Sequence, residues 1–230
     1  MDWISFYDFK HSVIYVNARH RDVHYRTIAE DISRYVPSPT ASVLDYGCGE
    51  ATSAQLIAEA AGHLTMVEAA PNVRAALGQR YAGNPNVSVL TPDEAAALPD
   101  GSFDLIVLHS VAQYLAGEEL DRLLAVFRRL LKKDGLFVLG DIIPPHFAAP
   151  AAALALLRFG AANGFFFAAV LGLMRIFASD YLKLKTTVGL SHYEETAMLK
   201  KLKRSGFEPK RAPRNIGHNQ RRMTFLCRVA

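Results

Sequence analysis

The chain has 230 residues, of which 50% are apolar, and it carries a formal charge of +4 and two cysteines, Cys48 and Cys227. This fits one domain with a large core, and cysteines with no CxxC pair and no zinc spacing exclude a disulfide scaffold and predict a reducing, cytoplasmic location. The charge is uneven: Tyr181 to Ala230 holds 12 Lys and Arg against 3 Glu, so the first 180 residues are net acidic, and the basic end suits lipid headgroups, nucleic acid, an acidic substrate or simply water.

In chain order, MDWISFYDFK has acidic residues and no apolar run after a basic start, so it is not read as a secretory signal. Residues 10–36 read as a helix on the spacing of Ile28, Ile32 and Tyr35, ended by Pro37 and Pro39. SVLDYG is a buried strand running into glycines, and ATSAQLIAEAAG a helix stopped by Gly62. LTMVEA is a second strand, PNVRAALGQRYAG a helix opened by Pro71, and NVSVL a third strand. SFDLIVLHS is a fourth strand, GEELDRLLAVFRRLLKKDG a helix, and LFVLGDII a fifth strand closed by two prolines. This alternation predicts a parallel sheet with helices on both faces. An apolar stretch follows from about 147 to 180, then the charged helix YEETAMLKKLKRSGF. EPKRAPRNI and RRMTFLCRVA are too close together for a helical crossover and read as an antiparallel pair at the sheet edge.

VLDYGCGEA, at 43–51, follows a strand and opens a helix, where glycines let backbone approach a ligand and the helix start offers unpaired N–H groups. Glu68 ends the next strand, 23 residues after Asp45, where an acid can hold two ribose hydroxyls. A nucleoside-containing cofactor at the carboxyl ends of the strands is implied. The GxGxxG pattern of a nicotinamide dinucleotide fails, because its third glycine is Thr52. Asp45 would repel a pyrophosphate but gives a cationic cofactor a counter-charge. Both points favour S-adenosyl-L-methionine, which has a sulfonium and no phosphate.

VLDYGCGEATSA, MVEAAPNVR, ALPDGSFDLIVLHSVAQYL and LLKKDGLFVLGD together resemble the class I S-adenosylmethionine-dependent methyltransferases, in the branch that includes quinone-biosynthesis C-methyltransferases and many small-molecule enzymes. The resemblance is strong over 40–143. It implies a Rossmann-like α/β fold with a seven-stranded, mostly parallel sheet and an antiparallel last strand. One domain would span 1–230: an N-terminal helical gate (1–39), the cofactor core (40–143), a helical cap inserted after strand 5 (144–190), and a last helix with the strand pair (191–230). It further implies that Asp45, Gly47 and Gly49 line the methionine part of the cofactor, Glu68 binds the ribose, and Ala69 lies beside the adenine. Either Asp93 or Glu94 would reach the adenine amino group. His109, Ser110 and Tyr114 would border the transferring methyl, and Tyr15, Asn17, Arg19 and His24 would gate the site.

For a proton acceptor the substrate half offers His218, favoured for its polar turn, then Asp141, His146 and His192. His20 and His24 share a helix face, but no third ligand completes a metal site, and none is expected. Nucleic acid is disfavoured. LHSVAQYL replaces the Asn- or Asp-Pro-Pro-aromatic stretch of base-amine methyltransferases, and neither cysteine is placed as a nucleophile. The basic end also lacks interleaved aromatics. Methylation of a small, lipophilic or lipid-like acceptor is the first reading. An RNA methyltransferase and a non-catalytic cofactor-binding scaffold are the alternatives.

The apolar stretch Phe159–Ala178 is not expected to span a membrane. Only 16 residues separate Arg158 from Arg175, about 24 Å of helix against a core of roughly 30 Å. Phe166, Val170, Leu173 and Phe177 share one helix face, and Ala168, Gly172 and Arg175 another. This face would pack on the sheet, or line a greasy pocket while the cap rests on the inner face of an anionic membrane. Lys183, Lys185, Lys200, Lys201, Lys203 and Arg204 would support the second arrangement.

Overall fold

The computed structural model describes residues 3–10, 14–145, 149–176 and 190–230. Five parallel strands, β1 (Ser42–Tyr46), β2 (His63–Val67), β3 (Val87–Leu90), β4 (Phe103–His109) and β5 (Leu131–Ile142), form most of one sheet. β6 (Phe207–Arg211) and β7 (Met223–Val229) complete it in the order β3-β2-β1-β4-β5-β7-β6. β7 runs antiparallel to both neighbours, so the last strand is inserted between β5 and β6. This is the seven-stranded, mostly parallel Rossmann-like sheet that the sequence predicts.

Strand side chains alternate between faces, and each face builds its own core. Leu44, Ile106, Leu108, Phe137 and Phe225 pack with α6 (Gly117–Leu130) and α9 (Glu195–Arg204). Val43, Leu64, Met66, Leu105, Val107 and Val138 pack with α2 (Ala18–Ser33), α3 (Gln55–Ala60) and α4 (Pro71–Tyr81). Phe127 of α6 is fully enclosed, edge-on to Tyr46 at 5.2 Å and tilted to Phe137 at 5.3 Å between ring centres.

Four differences from the sequence reading matter for the site. The helix expected over 10–36 is α2 alone, because Asn17 caps it by accepting from the His20 N–H at 2.8 Å. A separate helix, α1 (Trp3–Lys10), precedes it. A short helix, α5 (Pro92–Ala96), follows β3 and is closed by a capping box between Thr91 and Glu94.

The apolar stretch is two helices, α7 (Ala149–Asn163) and α8 (Phe166–Ile176), turned at Gly164 with φ of +75°. Gly160 meets Ala169 there, so the two helices approach closely. Among the described residues no helix is long and apolar enough to cross a membrane. α8 packs through its small residues: Ala169 and Gly172 are buried, and a Cβ on Gly172 would lie 2.2 Å from Val16. Most of its large residues point outward, with Phe166 41%, Phe167 82%, Leu171 51% and Met174 59% exposed, while Leu173 is partly buried. Phe166 and Val170 therefore line neither the sheet nor a pocket; Phe177, Lys183 and Lys185 lie outside the described residues.

Truncating Phe127 to Ala removes the plug between α6 and the sheet. It should cost about 3–5 kcal/mol. The urea midpoint should fall with an unchanged m-value; an unchanged midpoint would mean that this ring does not carry that face of the core.

Candidate active site

A cavity of about 760 Å³ opens over the carboxyl ends of β1, β2, β4 and β5. Its floor is the turn after β1. Gly47 and Gly49 have φ of +73° and +62°; an added Cβ would lie 2.4 Å from Val111 at the first and 2.7 Å from the Tyr25 hydroxyl at the second. The turn satisfies its own amides. Gly47 N–H donates to Val67 O at 2.7 Å, Gly49 N–H to Glu68 Oε2 at 2.9 Å and Glu50 N–H to Tyr25 Oη at 3.0 Å. The unpaired N–H groups expected at this turn are thus taken up, and α3 starts only at Gln55. The amides of Gly47, Gly49 and Glu50 are therefore not free for a phosphate.

Glu68 also accepts from Ala70 N–H at 2.8 Å, so each oxygen holds one backbone amide and keeps a lone pair for a ligand hydroxyl. Burial raises its pKa against these bonds. Asp45 is buried beside it; burial first, and the Glu68 charge second, push its carboxyl up to about 7. Two enclosed carboxylates above a glycine cradle suit a ligand with a positive group and a diol.

The expected residues gather unevenly. Asp45, Gly47, Gly49, Glu68, Ala69, His109, Ser110, Tyr114, Tyr15, Asp141 and His218 all line the cavity. Neither Asp93 nor Glu94 lines it, and Pro92 reaches it instead. The Glu94 carboxylate accepts from the Thr91 N–H and hydroxyl, at 2.8 and 2.9 Å, to cap its own helix. Arg19 is likewise elsewhere: its Nε donates to the Asn163 carbonyl and ties α2 to the α7–α8 turn. His146 lies outside the described residues. His192 does not line the cavity.

Asp141 is the most constrained acid. It pairs with Arg222, accepts from Ser110 Oγ at 2.5 Å and from Asn215 Nδ2 at 3.2 Å. Burial would raise its carboxyl, but Arg222, His109, Ser110 and Asn215 together hold it below the ordinary range. A carboxylate held this way orients its neighbours and is a poor proton acceptor.

His218 stacks on Phe159, with ring centres 4.4 Å apart, and lies 6.0 Å from His24 and 6.5 Å from His20. Burial lowers the pKa of His218 and of His20 to about 4, so both are neutral near pH 7. His24 is pushed well below the ordinary histidine range by burial, and then by His218, His109 and His20. Its Nδ1 and the Gln113 Oε1, both in this cavity, are buried without a hydrogen-bond partner. Among the described residues no group of three His, Cys, Asp or Glu is arranged to hold a metal ion.

Sequence reasoning missed Trp3, Tyr7, Tyr25 and Gln113. Trp3 packs on Tyr114 with ring centres 4.4 Å apart, and the Tyr7 hydroxyl bonds Tyr114 at 2.7 Å, so α1 closes the cavity. Their spacing of four, which puts both rings on one helix face, was the available signal.

Residues 44–139 match a family described as a methyltransferase domain. The match covers 96 of the 230 residues and lies between β1 and β5. The sulfonium and ribose diol of S-adenosyl-L-methionine suit the enclosed Asp45 and Glu68 by charge and hydrogen bonding. No curated protein is significantly similar in sequence. Among solved structures, a TehB-like methyltransferase from Corynebacterium glutamicum is 17% identical with a TM-score of 0.55, covering 89% of this chain and 88% of its own. Magnesium protoporphyrin IX methyltransferase from Synechocystis is 16% identical with a TM-score of 0.58, covering 92% and 86%. The pyocyanin biosynthetic protein PhzM is 18% identical with a TM-score of 0.62; the match covers all of this chain but only 62% of PhzM. At these identities the likeness is one of fold.

The state of Asp45 sets a pH dependence for ligand binding at this site. A cation bound beside it favours the carboxylate, so its pKa is lower in the complex than in the free protein. Affinity for S-adenosylmethionine should be complete above pH 7 and fall by up to about tenfold per pH unit below it. Calorimetry should record proton release on binding near pH 6, and Asp45→Asn should abolish it. Equal release in the variant would place the titrating group elsewhere.

Proposed function

We propose that this protein transfers a methyl group from S-adenosylmethionine to a small lipophilic acceptor taken from a membrane surface, in keeping with the small-molecule branch that its motifs resemble. The observation that carries this is a cavity that runs from the glycine cradle to an aromatic and histidine wall made by α1 and α2, with Ala152 and Leu156 of α7 beside it. The cofactor supplies an electrophilic methyl and one positive charge. What the chain adds is enclosure, orientation and a place for a proton.

Gln113 Oε1 is an acceptor without a partner, and His24 Nδ1 is one in the tautomer protonated at Nε2, so together they fit a substrate that presents O–H or N–H groups. Neutral His24 takes the proton that such a group releases as it is methylated. Holding that proton returns to the cavity the positive charge that methyl transfer removes, which offsets the burial that otherwise disfavours a charged imidazole. His218, second in line at 6.0 Å, passes the proton outward. The outward Phe166, Phe167, Leu171 and Met174 of α8 give the cap an apolar contact with lipid. Lys200, Lys201, Lys203 and Arg204 belong to α9; Lys201 is engaged with Asp121, which leaves three of these charges for an anionic surface.

Two outcomes are expected. With labelled S-adenosylmethionine and a total lipid extract, wild-type protein should transfer label to an extractable product. His24→Ala should bind cofactor normally and lose about 10²–10⁴-fold in rate, with a smaller loss in His218→Ala. Full activity in His24→Ala would remove it as the proton acceptor. The protein should also float with anionic liposomes, and Phe167→Ser with Leu171→Ser should lower that affinity by tenfold or more, since burying each side chain contributes about 1.5–3 kcal/mol. Flotation that is absent, or indifferent to these changes, would overturn the membrane reading.

A further inference from the structure

A second hollow, of about 490 Å³, lies on the outer surface against the cavity, and His218, Gly217 and Asn219 border both. Four guanidinium groups line it. Arg34 comes from the end of α2, Arg158 from α7, and Arg214 and Arg221 from the turn between β6 and β7. The two acids in the hollow are already engaged. Asp31 pairs with Arg34 at 2.7 Å and accepts from Gly217 N–H at 2.9 Å, and Glu30 pairs with Arg26 at 2.8 Å. Among the described residues no carboxylate pairs with Arg158, Arg214 or Arg221. Three separate stretches of chain therefore bring arginines to one concave place, and the three unmatched ones are exposed there to any anion from solvent.

Arginine forks match phosphate oxygens, and three unmatched positive charges suit a phosphate monoester near neutral pH. Leu154 of α7 also lines the hollow and is 43% exposed, so an apolar surface adjoins the arginines. On the border with the cavity stands His218, stacked on Phe159 of the hollow, with Gly217 and Asn219 beside it.

We infer that this hollow holds the phosphate headgroup of an amphiphilic methyl acceptor, whose body lies along Leu154 and whose reacting group passes His218 into the cavity. The inference rests on the proposed methyl transfer and narrows its acceptor to a phosphate-bearing amphiphile. It also gives His218 a second role, as the partition between headgroup and chemistry.

The test is calorimetry of the full chain with monomeric dihexanoyl phosphatidic acid, with dihexanoylglycerol and inorganic phosphate as comparators. Phosphatidic acid should bind more tightly than either, and more weakly as salt rises. Arg158→Gln and Arg221→Gln should each weaken it by about tenfold or more, while cofactor affinity and thermal unfolding stay unchanged. Arg214→Gln serves if either variant unfolds. Equal binding of dihexanoylglycerol would overturn the inference in favour of a merely apolar site. Equal binding of inorganic phosphate would make it a free-phosphate site. Binding that survives all the arginine changes, or no binding, would also overturn it. Methyl incorporation from labelled cofactor is measured separately, so loss of the headgroup site and loss of the methyltransferase reading give different results.

Discussion

The ion pair between the buried Asp141 and the partly buried Arg222 holds the acceptor side of this molecule together. Asp141 ends β5 with φ of +66°, and Ser110 follows β4 with φ of +58°; both sit in the left-handed region that non-glycine residues seldom occupy. Their hydrogen bond and the Arg222 charge keep them there. Removing Arg222 would leave a buried carboxylate held only by Ser110 and Asn215, which is destabilising. Asn215 extends the network. Its side chain reaches Asp141, the carbonyls of Ile216 and Asn219, and the Thr224 hydroxyl, which fixes the turn that carries His218. One carboxylate thus ties together the end of β5, the segment with Gln113 and Tyr114, and the approach to β7.

The cofactor side is organised by the opposite logic. Asp45 and Glu68 are two acids enclosed with no cationic side chain hydrogen-bonded to either carboxylate among the described residues. Glu68 is satisfied by backbone amides, whereas Asp45 is held half-way to neutrality by burial and by its neighbour. That cost in the free protein is recovered when a positive group arrives. The two halves of the cavity therefore differ in readiness: the Asp141 side is complete without a ligand, and the Asp45 side is not.

The core of the fold was legible because the βα alternation from residue 40 to 143 is strongly periodic, and because glycine turn, ribose acid and strand ends lie close in sequence. Three features escaped for physical reasons. α1 is only eight residues long and is stabilised by contacts with Tyr114 and α4, which no local pattern records. Glu94 looks like a ligand in sequence but is spent on a capping box, a competition that depends on where a five-residue helix starts. α8 inverts the usual rule. Periodicity located its large residues on one face, and the natural assumption put that face inside; Gly172 and Ala169 won the interior because close packing against Val16 and Gly160 needs small side chains. Candidate proton acceptors were found by type, but the orphaned atoms of His24 and Gln113 could be seen only in three dimensions.

The placement of β7 between β5 and β6 bears on how the chain is made. During translation, β1 to β5 leave the ribosome able to assemble in order, yet β6 has no neighbour until residues 223–229 emerge. Arg222 emerges with them, so Asp141 waits for its counter-ion through some 80 residues of synthesis. The nascent sheet meanwhile presents the open edge of β5, a row of unpaired backbone groups of the kind that invites pairing with other chains. Ribosome stalling or early termination within this stretch would release a molecule with a formed cofactor cradle and no acceptor wall, a species that cells would be expected to meet with chaperones or proteases rather than tolerate.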